Sequence, residues 1–394
     1  MAEKMTLEQL DAYLKDVYPD DTLIKQFADE NEFFKLIDKP EAETLTFKGR
    51  KVVMPVLPGW GGGNGSVGED EDLPAAGATP NDDAQITLAY HYNRKYITNQ
   101  ALRAALGGDA SVISAIELLY EAQMEGLKKD INWKLYNSYT GLRTCVNGAV
   151  SSSKSITMDN VNGIYIGQML DIYDAATNAT LEAEDITVTD VNDTTKVVTV
   201  DTTVTLTDKA YVYQANEKNK SLNGLYDAYQ TTGTYHGISR SGNSWWQGKV
   251  ISSSAVPITD DLLTSMRTSA SKGAKPKIWL TTFEIKDMIW KNILRQQINL
   301  TNVVKIAGGM ETFTYHGFPV IPDTACTPGL IALIDPSIIA FVQGADGFNW
   351  AEEGGSRLYK IQGKDSYETL LRNYSNLIVK KPRYMPVCTA ILEA

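Results

Sequence analysis

The apolar positions of this chain change between helical and extended spacing several times, and each change marks a predicted element. Residues 1–43 carry two helical stripes on either side of Pro19: Leu7, Leu10, Leu14 and Val17, then Leu23, Phe27, Phe34 and Ile37. Apolar residues at this spacing lie along one face of a helix. The segment is therefore predicted to form an arm of two short amphipathic helices, whose apolar faces need a partner surface in the same fold or on a neighbouring subunit.

A very long β-hairpin is predicted for residues 44–93. Strand-like segments at 45–57 and 84–92 flank a stretch rich in glycine and acid, and no Lys or Arg occurs from Val52 to Asn93. Two extended runs separated by turn-forming residues indicate a hairpin. Loops of this length inside a compact domain usually serve a function, so the acidic tip is the first candidate functional segment.

The sequence GNGSVG at residues 63–68 matches the G-x-G-x-x-G pattern of dinucleotide-binding sites. That pattern needs a helix directly after the glycines, because the pyrophosphate binds the free N–H groups at the helix N-terminus. Here four carboxylates and Pro74 follow instead: Glu69, Asp70, Glu71 and Asp72. The acids would repel a phosphate and the proline disfavours a helix. We therefore expect no cofactor, and we interpret the glycines as a source of conformational freedom.

A long helix is predicted within residues 94–150, from a cap at Asp109 to about Tyr139. Its apolar stripe consists of Val112, Ile116, Leu119, Leu127, Ile131 and Leu135. About 30 residues at 1.5 Å each give a rod of roughly 45 Å, which is long for a globular helix. This segment is predicted to be a structural spine.

Residues 151–216 are predicted to form an inserted all-β module. Thr, Val, Asp and Asn dominate there, with strand candidates at 164–173, 186–191, 196–200 and 211–213. Short strands separated by Asn, Asp and Gly turns are typical of small β folds. Residues 151–214 contain ten Asp or Glu against three Lys, so the module is strongly acidic.

Mixed sequence resumes in residues 217–337 and turns β-rich in residues 338–394. We predict a helix capped by Thr259 that ends near Gly273, a strand at 277–280 and a helix at 283–297. Hairpin turns are expected at Gly308–Gly309, Gly317, Gly344 and Gly354–Gly355. The pattern as a whole predicts an α+β chain with one inserted β module.

The composition and charge of the chain disfavour several classes of protein. Hydrophobic residues make up 43% of the 394 residues and charged residues 22%, as in ordinary globular proteins. The net charge of −11 disfavours a protein dedicated to gripping DNA phosphates. The three cysteines are far apart and fit a reducing compartment. The N-terminal sequence lacks the features of a signal peptide, and no apolar run is long enough to span a membrane.

Candidate chemistry is sparse. His91, His236 and His316 do not have the spacing of metal ligands. A Ser–His–Asp triad stays a possibility, because its members need to be close only in space. No G-x-S-x-G motif points to a particular serine as its nucleophile. Four acids are candidate catalytic carboxylates, although solvated surface acids are the commoner case: Glu352, Glu353, Asp365 and Glu368.

Two further motifs have a functional and a structural interpretation. Trp245 and Trp246 could stack on a sugar, but we favour packing in a core or an interface. The basic run Lys380, Lys381 and Arg383 is short for a nucleic-acid site, and we expect it to pair with an acidic surface.

Three stretches of the second half of the chain resemble the major capsid proteins of tailed double-stranded-DNA bacteriophages, the coat fold of the Hong Kong ninety-seven type. The most specific is HGFPVIPDTACTPGLIALIDPSIIAF at 316–341, which is similar to the family's G-x-P-V … P-G … D-P segment. The others are KIWLTTFEIKDMI at 277–289 and SYETLLRNYSNLIVKKPRYMPVCTAI at 366–391. Together with the long hairpin and the spine helix, the resemblance covers about residues 40–150 and 218–394.

The resemblance implies an N-terminal arm, an extended hairpin loop, a spine helix, and peripheral and axial domains. It implies a structural protein, not an enzyme, that assembles in the host cytoplasm as hexamers and pentamers into the icosahedral shell of a virion. Its expected partners are further copies of itself, scaffolding, portal and decoration proteins, and packaged double-stranded DNA bound without sequence specificity, with no membrane. The rival interpretations are an encapsulin-like compartment shell and a carbohydrate-active or carbohydrate-binding β-rich protein.

In this family the extended loop lies over the neighbouring subunit, and in some members a lysine on that loop forms a covalent crosslink, or weld, to the neighbour. The loop of this chain has no lysine from Val52 to Asn93, so no such weld is expected. The acidic module is expected to face away from packed DNA. The candidate intersubunit contact residues are Trp60, Glu69, Asp70, Glu71, Asp72, Lys128, Lys129, Lys380, Lys381 and Arg383.

Overall fold

The computed structural model describes residues 32–37, 47–48, 51–100, 111–292, 303–305, 311–352 and 356–392. The chain divides into two compact units. The first consists mainly of Ala89–Leu222 and Asp346–Ser375, and the second mainly of Leu36–Leu88, Asn223–Ala345 and Asn376–Ala394. Each unit is therefore assembled from segments that are distant in sequence.

The elements of the first half of the chain are, in order, α1 Glu32–Leu36, β1 Phe47–Lys48, β2 Lys51–Val56, β3 Asp82–Thr87, β4 Ala89–Thr98, α2 Ser111–Tyr136, β5 Leu142–Cys145, β6 Val150–Thr157, β7 Met169–Tyr173, β8 Leu181–Asn192, β9 Val197–Leu206 and β10 Tyr211–Gln214. Those of the second half are α3 Leu225–Tyr229, β11 Thr234–Tyr235, β12 Ile238–Ser239, β13 Lys249–Ser252, α4 Asp260–Ser271, β14 Ile278–Thr281, α5 Phe283–Asn292, β15 Val303–Lys305, β16 Glu311–Tyr315, β17 Phe318–Pro322, β18 Ile331–Ile334, β19 Ile339–Trp350, β20 Tyr359–Lys360, β21 Ser366–Val379 and β22 Pro386–Cys388, with short 3-10 helices at Pro336–Ile338 and Pro382–Tyr384.

In the first unit, the long helix α2 packs on a sheet in which β4 runs antiparallel to β21. Residues alternate between the two faces of β4, so His91 and Ile97 are buried while Tyr90 and Tyr92 are exposed. Gln123 on α2 donates a hydrogen bond to the Asn93 carbonyl (2.6 Å). The predicted spine helix is confirmed from Ser111 to Tyr136, and the proposed cap at Asp109 lies outside the described residues.

The middle of the first unit is a six-stranded sheet with the order β5-β10-β7-β8-β9-β6. A bridge between Val146 and Met158 joins the two ends of this order, so the sheet closes on itself around a core of aliphatic side chains and Met158. Three of the four predicted strands are confirmed within β8, β9 and β10. The predicted strand at 164–173 is wrong in its first half, because Gly163 and Gly167 take positive φ and turn the chain before β7.

The second unit is built on a seven-stranded mixed sheet with the order β13-β22-β18-β14-β17-β16-β15. Helices α4 and α5 cover it and bury Leu263, Met266, Ile285 and Ile289 against Trp279. Thr259 caps α4 as predicted, since its side-chain oxygen accepts a hydrogen bond from the Leu262 N–H. The cap and the apolar spacing together explain why this short helix forms here.

Other sequence expectations have mixed outcomes. The turn at Gly317 joins β16 to β17 as predicted, whereas the turn expected at Gly344 is wrong because this residue lies inside β19. Gly308–Gly309, Gly354–Gly355 and the first stripe of the N-terminal arm lie outside the described residues. Of the second stripe, Phe34 and Ile37 are buried.

Candidate functional site

The extended hairpin continues well beyond its two hydrogen-bonded strands. Strand β2 pairs with β3 from Lys51–Thr87 to Val56–Asp82, and closely the same offset brings Gly62 opposite Gly77. The two backbones touch there, because a β-carbon on Gly77 would lie 2.3 Å from the Gly62 carbonyl carbon. About 15 residues per arm, at no more than about 3.3 Å each, limit the arm to a length of about 50 Å. Glycine at 77 is therefore required by close backbone packing, whereas a β-carbon at 62 would meet nothing nearer than the Gly77 Cα at 3.6 Å. This close approach adds a constraint to the conformational freedom expected from the sequence.

The end of this hairpin is an exposed acidic turn, defined as residues 66–73. The Gly68 N–H donates a hydrogen bond to Glu71 Oε2 (2.8 Å), which is the local contact that shapes the turn. Within the described part of the chain, Glu69, Asp70, Glu71 and Asp72 form no ion pair. The exposed fractions of Trp60 and Leu73 are 87% and 83%. The arm thus presents four carboxylates and large apolar side chains to its surroundings.

The base of the hairpin, in contrast, is firmly held within the second unit. Val52, Ala84 and Ile86 are fully buried. The Gln85 N–H donates to the His236 carbonyl (2.7 Å), and Asn376 Nδ2 donates to the Thr87 carbonyl (2.6 Å). Because its base is fixed, the arm leaves the second unit in a defined direction.

The predicted basic contact residues fall into two groups. Lys128 and Lys129 are half-buried on α2 in the first unit. Lys380, Lys381 and Arg383 lie together at the 3-10 turn between β21 and β22 in the second unit, and Lys381 and Arg383 are exposed. Within the described residues of the second unit, no ion pair joins Lys380, Lys381 or Arg383 to the acidic turn. A contact between the acidic turn and any of these five cations on another copy stays a prediction.

A cluster of four buried charges, which the sequence analysis missed, lies in the first unit. Lys134 Nζ contacts Asp130 Oδ2 (2.5 Å) and Glu217 Oε1 (2.8 Å), and Arg143 Nη2 contacts Asp130 Oδ1 (2.5 Å) and Glu217 Oε2 (3.2 Å). Burial alone would raise the pKa of Asp130, but Lys134 and Arg143 outweigh it and hold that pKa below its usual range. The four charges sum to zero, which is the condition under which ions are tolerated in an interior.

This charge cluster ties the spine helix to the β module. Asp130 and Lys134 lie on α2, Arg143 on β5, and Glu217 just after β10. The Arg143 guanidinium also donates from Nη1 to the Gly163 carbonyl (2.8 Å) and stacks 4.0 Å from the Trp133 ring. The i, i+4 spacing of Asp130 and Lys134 was a visible signal, but their partners are distant in sequence.

The candidate catalytic carboxylates do not converge on a site. Glu352 pairs with Arg357 (3.2 Å), and Glu368 pairs with Arg94. Asp365 accepts a hydrogen bond from Asn99 Nδ2 (2.9 Å), and Glu353 lies outside the described residues. Each described carboxylate therefore has its own surface partner.

The histidines do not form a nucleophile-activating set either. Burial lowers the pKa of His91 to about 3 and that of His236 to about 4, so both are neutral. His316 lies 3.4 Å from Thr264 Oγ1 and 3.9 Å from Asp260 Oδ1, but both contacts are made by its Nε2. A triad needs the hydroxyl and the carboxylate on opposite ring nitrogens, so this arrangement does not meet the requirement.

Trp246 and Trp245 pack as the sequence analysis favoured. Trp246 is fully buried and donates from Nε1 to the Tyr235 carbonyl (3.0 Å). The partly buried Trp245 ring lies 5.5 Å from it. Because the pair is used in packing, it offers no open platform for a sugar.

Metal-binding clusters and membrane-spanning helices are both absent from the described ranges. No group of three or more His, Cys, Asp or Glu side chains there is placed to hold a metal ion. No helix there is both long enough and apolar enough to cross a membrane.

Comparison with known proteins finds matches at the level of structure alone. No protein-family profile and no curated protein sequence matches the chain. Among solved structures, the capsid asymmetric unit of cyanophage A-1(L) superposes with a TM-score of 0.60 at 15% identity, covering 98% of each chain. The capsid of a native GTA particle gives a TM-score of 0.54 at 9% identity, again over 98% of each chain.

The holo-SrpI encapsulin from Synechococcus elongatus PCC 7942 gives a TM-score of 0.52 at 11% identity, covering 98% of this chain and 96% of its own. These superpositions extend over nearly all of each chain. The chain therefore has the α+β fold of the Hong Kong ninety-seven type, as the resemblance in its sequence predicted.

Proposed function

We propose that this chain is the major capsid protein of a tailed bacteriophage. Copies of it assemble as hexamers and pentamers into an icosahedral shell that encloses a double-stranded DNA genome. Its role is structural and its location is the virion, with assembly in the host cytoplasm. Scaffolding, portal and decoration proteins and the packaged DNA complete the proposed set of partners.

The observation that carries this proposal is the full-length match to a phage capsid subunit, 98% of each chain. A match to one domain would leave the remaining residues free for another activity, whereas this one covers the hairpin and both units. The hairpin adds independent support, since it projects from its base with Trp60 and Leu73 exposed, and large aromatic side chains are enriched in interfaces.

Within this proposal the sequence segments take the following roles. Residues 1–43 are an arm, 44–93 the extended loop, 94–150 the spine helix and peripheral domain, and 151–216 the inserted module. Residues 217–337 are the axial domain, and 338–394 provide the closing strands. We propose that two sets of residues form contacts between neighbouring copies. One copy contributes the acidic turn and Trp60, and the other contributes Lys128, Lys129, Lys380, Lys381 and Arg383.

Electron microscopy of the overexpressed chain tests the proposal. We expect capsomers or closed shells, formed alone at high protein concentration or together with a scaffolding protein. Size-exclusion chromatography with light scattering should give particles far above the 43.4 kDa monomer. A chain that stays monomeric under all these conditions contradicts the proposal.

An encapsulin-like compartment is the second candidate, because the SrpI encapsulin superposes over 98% of this chain. The two candidates differ in what the shell contains. Shells purified from the native source should hold double-stranded DNA if the chain is a phage coat, and a protein cargo without a genome if it is a compartment. Nuclease-protected DNA of uniform length decides between them.

A further inference from the structure

The second unit carries a concentrated basic patch in a chain of net charge −11. The basic patch is defined by residues from two segments: Lys272, Lys275 and Lys277 after α4, and Lys380, Lys381 and Arg383 before β22. All but the half-buried Lys380 are exposed. Across the described residues, none of the six forms an ion pair. Six cations are thus held together without a matching set of acids.

The fold brings the two segments together through specific contacts. Lys381 Nζ donates to the Gly273 carbonyl (3.5 Å). Gly273 packs so closely on Tyr384 that a β-carbon on it would lie 2.3 Å from the ring. The 334–338 segment joins the same two stretches, because the Lys277 N–H donates to the Ile334 carbonyl (3.0 Å) and the Lys380 N–H donates to the Ile338 carbonyl (2.7 Å).

One carboxylate, Asp335, lies beside the patch, and its hydrogen bonds hold the backbone. Its Oδ2 accepts from the Lys275 N–H (2.8 Å), and its Oδ1 accepts from the N–H (3.1 Å) and the hydroxyl (2.7 Å) of Ser337. Lys277 is attracted to it. Because Asp335 directs its hydrogen bonds to the backbone and Ser337, and none of the six cations forms an ion pair within the described residues, the basic patch keeps an excess of positive charge.

The complementary charge within this chain is the acidic turn at the end of the hairpin. It concentrates four consecutive carboxylates, Glu69 to Asp72, in a stretch without Lys or Arg from Val52 to Asn93. All four are exposed. Opposite patches of this density attract each other and set the partner and the register of an association, more than its total affinity.

We propose that the basic patch receives the acidic turn of the hairpin of a second copy of this chain. The inference rests on the proposed function, which supplies the second copy. It selects the basic patch over Lys128 and Lys129, because these two are half-buried on α2 and Lys129 already has an interaction within the chain. The contact is a charge-paired clasp between copies, and it weakens as added salt screens the charges.

A charge swap tests the clasp. Reversal of the turn (E69K, D70K, E71K, D72K) and reversal of the patch (K272E, K381E, R383E) should each raise the protein concentration needed for assembly about tenfold or more at low salt. The two reversals combined in one chain should restore assembly. Matched controls reverse exposed charges elsewhere, D190K with D193K and K360E with K364E, and should assemble like the wild type.

A second measurement is independent of how well the variants fold. Shells co-assembled from ¹⁴N- and ¹⁵N-labelled chains are treated with a carbodiimide, which joins a carboxylate to a lysine in direct contact. Mass spectrometry should find mixed-isotope crosslinks between peptides containing Glu69–Asp72 and peptides containing Lys272, Lys275, Lys277, Lys380 or Lys381.

The outcomes separate the clasp from the proposed function. Wild-type shells without such crosslinks, or a swap that fails to restore assembly, overturn the clasp and leave the capsid proposal standing. A patch variant that assembles normally but no longer binds duplex DNA also overturns it, and assigns the basic patch to the genome. A wild-type chain that never assembles overturns both proposals.

Discussion

Gly62 and Gly77 face each other across the extended hairpin so closely that a β-carbon at position 77 has no room, since it would lie 2.3 Å from the Gly62 carbonyl carbon. Gly59 lies shortly after Val56, the last residue of β2, and a β-carbon added there would meet no atom within 4 Å. Gly77 and Gly59 therefore carry different constraints, although both lie in one hairpin.

Substitution of Gly77 by alanine should separate the hairpin arms and misdirect the acidic turn. Because the site is exposed, the free energy of unfolding of the monomer should change by no more than about 0.5 kcal/mol. Assembly, followed by light scattering, should slow or stop. Gly59→Ala is the matched control and should assemble normally, and equal behaviour of the two variants would contradict a role for the close approach.

The buried charge cluster makes a sharper stability prediction. Asp130→Asn leaves Lys134 and Arg143 with Glu217 as their one carboxylate partner and so buries a net positive charge. We expect a loss of about 3–5 kcal/mol in the free energy of unfolding, measured by urea titration. Asp159→Asn breaks the exposed pair with Lys209, whose side chains are 41% and 55% exposed, and should cost less than about 1 kcal/mol. Similar losses in both variants would show that the buried cluster has no special role.

Acid should destabilise the fold through two buried histidines. Burial, with Lys134 nearby, lowers the pKa of His91 to about 3, and burial, with Arg240 nearby, lowers that of His236 to about 4 despite a hydrogen bond to the Leu377 carbonyl. Between pH 6.5 and 4 the unfolded chain binds protons that the folded chain does not, so stability falls as pH falls. At pH 5 each histidine accounts for about 2 kcal/mol of that loss.

Urea titrations of variants across this pH range check the assignment. His91→Gln and His236→Asn should each flatten the pH dependence of the free energy of unfolding, even if they lower it at pH 7. Asn suits position 236 because the backbone there has a φ of 48°. An unchanged slope in both variants would refute the assignment.

Shell subunits should not be covalently welded through the extended loop, because that loop has no lysine from Val52 to Asn93. Purified shells boiled in detergent should give one electrophoretic band near 43.4 kDa. A ladder of multiples of this mass would contradict the prediction.

The β module should face the outside of the shell. Its ten acids against three lysines in residues 151–214 would be repelled by the phosphates of packed DNA. An epitope inserted between Asp193 and Thr194, in the exposed turn that joins β8 to β9, should bind its antibody on intact shells. An epitope that becomes accessible only after the shells are disrupted would place the module inside.

Local signals explain what the sequence could predict. The helix at Ser111–Tyr136 and the cap at Thr259 follow from spacing and cap chemistry within a few residues. The strand expected at 164–173 failed because the φ preferences of Gly163 and Gly167 outweigh the apolar pattern. Lys380 to Arg383 is visible as a basic run, but Lys272 to Lys277 join it only through tertiary contacts.

The same reasoning applies to the buried charges. No pattern within a few residues of Asp130 predicts that Glu217 will lie beside it. The ion pairs of Glu217 with Lys134 and Arg143 form only once the module has folded against the helix. Full-length architecture was predictable because the order of elements along the chain is itself a signal, whereas pairings between distant residues are not.

The closed six-stranded sheet of the module has its entry and exit strands side by side. Thr144 on β5, just before the module of residues 151–216, is paired with Val212 on β10 near its end, so the chain enters and leaves the module about 4.8 Å apart. A segment with adjacent ends can be exchanged or enlarged as long as Arg143 and Glu217, which flank it, keep their ion pairs with Asp130 and Lys134 on the spine helix. In the proposed shell, with the module outside as predicted, such an exchange would give the particle a new outer surface while the rest of the subunit stays the same.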